Sequence, residues 1–265
     1  MKTDFHLHTC FSGDSDTSPE AMIQAAINYG LESVCITDHH DEDFTESGYE
    51  IDFETYFPTL KALQEKYKGQ IDVRIGMEYG LQPHLGEVCR KLVEKYPFDF
   101  VIGSIHLLDG KDMYYRKCFE SRTDEAGYRK AFEETFDNLQ YVSDYDVLGH
   151  LDYVVRYGKE QEREYSYKNN ADIIDSILKH LISNGKGLEI NTAGWRYGLP
   201  FAHPHPDVLK RYHELGGEII TIGSDAHKPG QIAFDFHRVS EVLKVCGFKY
   251  YTEFKQRKPI FRQLP

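Results

Sequence analysis

The sequence predicts an α/β fold of parallel strands in one domain, a closed barrel in preference to an open doubly wound sheet. Three observations predict it. Apolar runs of strand length recur seven times, segments with helical apolar spacing lie between them, and no proline- or glycine-rich linker divides the chain. Alternation of this kind makes the strands parallel, because each helix returns the chain to the same end of the sheet. A length of 265 residues also suits one large core.

The first run, residues 3–7, leads to a helix whose start and stop are both written in the sequence. Ser18 is placed to cap it, Pro19 opens it with a pre-set φ, and Gly30 stands where a left-handed closing residue belongs. The second run, 33–37, ends in TDHH and enters an irregular stretch at 40–52. The third (71–77), fourth (99–105) and fifth (145–149) runs end in GMEYG, GSIH and LGHLD. Asn169 to Gly185 carries helical spacing and again ends in glycine. The sixth run, 187–191, ends at Asn191 and opens into a second irregular stretch at 192–206. Gly216 closes a helix ahead of the seventh run, 218–223, which finishes in GSDAH. Loops after the strands build the active sites of α/β barrels, so the two long stretches are expected to wall a pocket. The tail, TEFKQRKPIFRQLP, mixes basic residues with Phe254, Ile260 and Phe261, which could dock on the barrel.

Composition excludes several classes. At 40% hydrophobic and 14% aromatic residues the chain is too apolar for disorder, and no apolar run of about 18 residues offers a membrane span. The start, MKTDFHLHTC, shows no apolar leader, so a cytoplasmic protein is expected. With 31 basic against 43 acidic side chains the net charge is -12, which repels a phosphate backbone; no nucleic-acid partner is expected. Five scattered cysteines without a CxxC pair read as reduced thiols.

The thirteen histidines carry the chemistry, because most sit at strand ends. His6 and His8 are two residues apart and share a face of an extended chain, so both imidazoles can reach one ion. The pattern then repeats: Asp38, His39 and His40, then Glu78, His106, His150 with Asp152, and Asp225 with His227. Only the sixth run ends without a ligand type. Neutral imidazole and carboxylate are ligands of zinc, manganese and iron, and burying so many without a cation would be costly. His6, His8, Asp14, His39, Glu78, His106, His150, Asp225 and His227 make nine candidate ligands, enough for two to three divalent ions (Zn, Mn or Fe). Adjacent cations suit phosphoryl transfer: they make hydroxide available at neutral pH, orient the phosphate and neutralise its developing charge.

HLHTCFSGD, TDHH, GMEYG, GSIH, LGHLD and GSDAH resemble the successive motifs of the PHP (polymerase and histidinol phosphatase) superfamily, over residues 6–227. Leu148 to Gly158 and Leu188 to Arg196 are similar to the histidinol-phosphate phosphatase branch. The resemblance implies a distorted (β/α)7 TIM-like barrel, here a single PHP domain over 1–265, with a trinuclear centre. It implies His6, His8, Glu78 and Asp225 on one ion, Glu78, His106 and His150 on a second, and Asp14, His39 and His227 on the third. One departure is Tyr79, in EYG, where many relatives carry a pattern such as EVD. Amidohydrolases also begin with HxH but often bridge their metals with a carboxylated lysine, and no lysine ends a predicted strand here.

A phosphomonoester needs cations beyond the metals, and arginine's planar fork suits its oxygens. Arg156 and Arg196, each just after a strand, are the candidates. Asp152, His40 or a metal-linked histidine is expected to protonate the leaving alkoxide, although Asp152 could instead anchor Arg156 and His40 could face solvent. Trp195 is open to ring stacking on substrate or core packing. His180, His213 and His237 fall in helices, His203 and His205 are expected to shape their loop, and His84 to lie in an exposed one. Asp41, Glu42 and Asp43 read as a solvated acidic loop. The resemblance implies a small-molecule partner, L-histidinol phosphate, hydrolysed to L-histidinol and inorganic phosphate; another small phosphate ester is the alternative.

Overall fold

Seven parallel strands run around a ring in chain order. The structure is a computed structural model, and it describes residues 1–44 and 48–265. In it β1 (Thr3–Asp4), β2 (Ser33–Ile36), β3 (Asp72–Gly80), β4 (Phe100–Ser104), β5 (Val147–Leu148), β6 (Gly187–Asn191) and β7 (Ile220–Gly223) each pair with the next. The ring closes where Phe5 N donates to Ile222 O and Asp225 N to His6 O, both at 2.8 Å, and where Leu7 bridges Ala226. The predicted seven strands are therefore present, with shifted ends. β3 runs on to Gly80 because His39–His40, beyond a break at Thr37 and Asp38, pairs with Glu78–Tyr79.

The helices α1 (Pro19–Tyr29), α2 (Phe53–Lys66), α3 (Gly86–Lys95), α4 (Asp124–Leu139), α5 (Ala171–Ser183), α6 (Pro206–Glu214) and α7 (Phe236–Val245) cover the ring. α1 begins and ends as its sequence dictates: the Ser18 side chain accepts from Ala21 N, and Gly30 stands at φ 87° with its N–H on the Ala26 and Ile27 carbonyls. α5 buries Ile174, Ile177, Leu178 and Leu181, a stripe at helical spacing, with each side chain contributing about 1.5–3 kcal/mol. Among the described residues no helix is long and apolar enough to cross a membrane.

The tail does dock, in a form its composition did not announce. β8 (Tyr250–Lys255) and β9 (Lys258–Gln263) make an antiparallel hairpin whose turn residues, Gln256 and Arg257, both take positive φ. Such turns usually advertise themselves with Asn-Gly or Gly, and this one has neither. Backbone donors of Gln256 and Arg257 bind Asp99, and Arg257 Nε lies 3.0 Å from both Asp146 carboxylate oxygens. This sets Phe254 against Phe5, Cys35, Phe100, Ile102 and Val147, an apolar cluster separate from the main core. These side chains fill the ring's interior on the side away from the histidines, while Ile260 and Phe261 stay largely outside.

Of the two stretches expected to wall a pocket, residues 45–47 lie outside the described residues. The other contains a single helical turn, Ala193–Arg196.

Candidate metal centre

Strand alternation brings the polar side chains to one mouth of the ring. Glu78 is the hub. Its Oε2 lies 3.2 Å from His6 Nε2, 3.5 Å from His8 Nε2 and 2.9 Å from His39 Nδ1, while Oε1 lies 3.3 Å from His106 Nε2 and 2.9 Å from His150 Nε2. Asp225 Oδ1 stands 3.2 Å from His8 Nε2, and Asp14 Oδ2 stands 3.1 Å from His227 Nε2 and 3.7 Å from His39 Nε2. All nine sequence-predicted ligands thus meet in one place. Donor atoms of His6, Glu78 and His150, of His6, His8 and Asp225, of His8, His39 and His227, and of His39, Asp41 and His106 each fall within 4.8 Å of one another.

The chemistry of this set fits divalent cations. Nε2 of His6 and of His8, Nδ1 of His39 and Oε2 of Glu78 are buried with no hydrogen-bond partner among the described residues, a cost that a shared ion removes. Burial works against charging His106, yet the Asp41 and Glu78 carboxylates together outweigh it and push the imidazole up to about 10. The carboxylates demand positive charge there. His8 goes the other way: burial, then the His39 and His227 rings beside it, hold it well below its ordinary value, keeping a lone pair free to ligate.

Three residues to which sequence reasoning gave no part in the site arrange these donors. Asp41 is buried, not solvated, and its Oδ1 lies 2.7 Å from His106 Nδ1. The only signal in the sequence was its place two residues beyond His39, on the same face of an extended chain. Glu189, a charge inside an apolar strand, fills the gap left by the sixth run: Oε1 lies 2.7 Å from His6 Nδ1 and Oε2 accepts from His150 N at 2.9 Å. Gly223 makes room for it, since a Cβ there would sit 2.2 Å from Glu189 Oε1. Ser12 Oγ donates to Asp38 at 2.7 Å and accepts from His39 N at 3.0 Å, and His8 Nδ1 is 3.1 Å away. With its one proton committed to Asp38, Ser12 accepts from His8 Nδ1–H and turns Nε2 inward. Asp225 takes a left-handed backbone, φ 53°, to aim its carboxylate.

Arg156 lines the cavity of about 550 Å³ over this cluster. Its guanidinium carbon lies 4.0 Å from the Tyr153 ring centroid and 4.2 Å from that of Tyr197, and Nη2 donates to Tyr157 Oη at 2.6 Å. Nε and Nη1 have no partner among the described residues.

The other predicted site residues have different tasks. Arg196 is absent from the cavity lining; its Nη1 and Nη2 donate to the Ser224 and Asp225 carbonyls at 2.6 and 2.7 Å, holding the strained peptide. Asp152 neither lines the cavity nor anchors Arg156: it is fully buried, with Oδ1 2.5 Å from His203 Nδ1. His40 is buried too, accepting from Ile51 N at 2.9 Å and packing against Phe53 and Tyr79, so it does not reach the cavity. Tyr79 is thereby explained as a core residue facing away from Glu78's side of the strand. Trp195 is buried beneath the Arg238 guanidinium at 4.1 Å. His84 is exposed on Asp43.

Comparison with known proteins bears on the whole chain. The PHP domain model matches residues 4–193. The chain belongs to the PHP domain family. Within that family, it is 32% identical to the histidinol-phosphatase of Lactococcus lactis over 97% of this chain and 96% of that one. It is 34% identical to the probable histidinol-phosphatase of Thermotoga maritima over 93% of each. Among solved PHP proteins, the Lactococcus lactis histidinol phosphate phosphatase complexed with zinc, L-histidinol and phosphate superposes with a TM-score of 0.89 at 31% identity, covering 98% of both chains. These relatives place the chain in the histidinol-phosphatase branch of the PHP family.

Proposed function

We propose that this protein is a metal-dependent phosphatase that hydrolyses L-histidinol phosphate to L-histidinol and inorganic phosphate, a step of histidine biosynthesis. The observation that carries this is a cluster of nine candidate imidazole and carboxylate ligands, eight of them gathered around Glu78, beneath a cavity where Arg156 Nε and Nη1 have no partner among the described residues. The likeness to an enzyme solved with zinc, histidinol and phosphate supports the substrate.

His6, His8, Glu78 and Asp225 would hold one ion, Glu78, His106 and His150 a second, and Asp14, His39 and His227 a third, with Asp41 between His39 and His106. Bound there, two to three ions of zinc, manganese or iron supply activated water and charge neutralisation for an in-line displacement at phosphorus. The protein's own part is placement. Glu189, Ser12 and Asp41 fix which nitrogen each imidazole offers, and Arg156, stacked on Tyr153 and Tyr197, holds a phosphoryl oxygen with Nε and Nη1. Asp112, Tyr114 and Tyr115 also line the cavity, a carboxylate and two aromatic rings of the kind that suits the amine and imidazole of histidinol.

The test is phosphate release from L-histidinol phosphate beside a panel of other phosphomonoesters, with bound metal counted by mass spectrometry. Strong preference for histidinol phosphate with two to three metals is expected. Metal-dependent release from the other esters alone would discard the substrate, and no release from any would discard the reaction.

A further inference from the structure

Two loops meet over the metal cluster, and a buried ion-pair geometry joins them. The loop after β5 carries His150, Asp152, Tyr153, Arg156 and Tyr157. The loop after β6 carries Trp195, Arg196 and Tyr197 and returns to the ring at His203, whose N and O pair with Asn191 O and N at 2.8 and 2.7 Å. Asp152 reaches from the first loop into the second: Oδ1 lies 2.5 Å from His203 Nδ1, and Oδ2 accepts from His205 N at 2.7 Å. Both side chains are almost wholly buried, and His203 Nε2 has no partner among the described residues, so the ring has Asp152 as its one polar contact. A carboxylate so far from water is costly unless it is paired and hydrogen-bonded, and both of its partners here lie on the second loop.

What the pair spaces apart is the arginine slot. The Arg156 guanidinium lies between Tyr153 of its own loop and Tyr197 of the other, at 4.0 and 4.2 Å, so the separation of the loops sets the width of the slot and the aim of Nε and Nη1. The metal ligand His150 is held separately, by Glu189 at its backbone N and by Glu78 at Nε2. We infer that Asp152 and His203 are a positioning pair that fixes the Arg156 slot for the phosphate group, independently of metal binding. This inference rests on the proposed role of Arg156.

The experiment compares wild type with H203A, H203N and R156Q for metal content, for KM and kcat on L-histidinol phosphate, and for inhibition by inorganic phosphate. The asparagine amide replaces the ring's Nδ1–H donor, so H203N tests the hydrogen bond and H203A its loss. Expected for H203A is full metal content and largely retained kcat, with KM and the phosphate inhibition constant both raised on the order of tenfold, and with H203N recovering most of that loss. If H203A does not fold, D152N, which keeps the shape but can accept from only one of His203 Nδ1–H and His205 N–H, carries the same comparison. Metal loss in H203A, or unchanged constants beside an R156Q variant in which both rise, overturns the positioning role alone. Unchanged constants in R156Q overturn the reading of Arg156 and this inference with it.

Discussion

Glu78 divides its two oxygens between two groups of imidazoles, so its charge belongs to the whole cluster. The Glu78→Gln variant is expected to lose metal and turnover together, measured by mass spectrometry and phosphate release; full metal content with full turnover would show that the shared position is idle. Glu189 acts one step back. Glu189→Gln presents an amide where a carboxylate now accepts from His6, and metal affinity or activity is expected to fall about 10- to 100-fold in a metal titration. The difference between these two residues is also the limit of what could be read in advance. Glu78 and the other candidate ligands were legible because all but Asp14 stand at or just beyond the end of an apolar run within a short polar motif, and Asp14 belongs to the motif HLHTCFSGD. Glu189 and His6 are 183 residues apart, and Asp152 and His203 are 51 apart, so those pairings exist only once the ring closes. Asp41 was misjudged for a related reason: an acidic run reads as solvated until a partner such as His106 is brought over it.

Among the elements, strand and helix order was legible from periodicity, and the hairpin β8–β9 was not, because its turn lacks glycine or asparagine. Its Phe254 completes the apolar cluster inside the ring, so Phe254→Ala should cost about 3–5 kcal/mol in denaturant unfolding. A loss below about 1 kcal/mol would mean that the hairpin merely rests on the barrel. Helices α4 and α5 are tied on their outer faces by Arg129, whose Nη1 and Nη2 reach the two Asp172 oxygens at 2.6 and 2.8 Å. That hydrogen-bonded pairing holds the Asp172 carboxyl down at about 2 against an ordinary 3.8. Since the folded value is the lower one, the contribution is present above about pH 4 and disappears as pH falls through 2. Arg129→Gln should therefore lower stability slightly at pH 7 and much less at pH 2; an equal deficit at both would assign the effect to packing.

For the molecule as a whole, metal and fold are expected to be coupled through the mouth of the ring, where the segments after β1 and β7 meet and both carry candidate ligands. Chelation leaves buried donors at that seam, His6 Nε2 and His8 Nε2, with no hydrogen-bond partner among the described residues, so the chelated protein should melt at a lower temperature, and readdition of zinc at about a hundred times its Kd should restore about 2.7 kcal/mol per site by mass action. A melting temperature indifferent to chelator and metal would separate the cluster from stability. Acidification works in the same direction as chelation, because imidazoles ligate only when neutral.

Trp195 gives this arrangement an optical handle. It is the only tryptophan in the sequence, it is buried under Arg238, and it stands next to the arginine that holds the Ser224 and Asp225 carbonyls. Intrinsic fluorescence excited at the indole band therefore comes from one spot beside the catalytic mouth. Metal loading at that mouth is expected to be observable in unlabelled protein, in a stopped-flow cuvette.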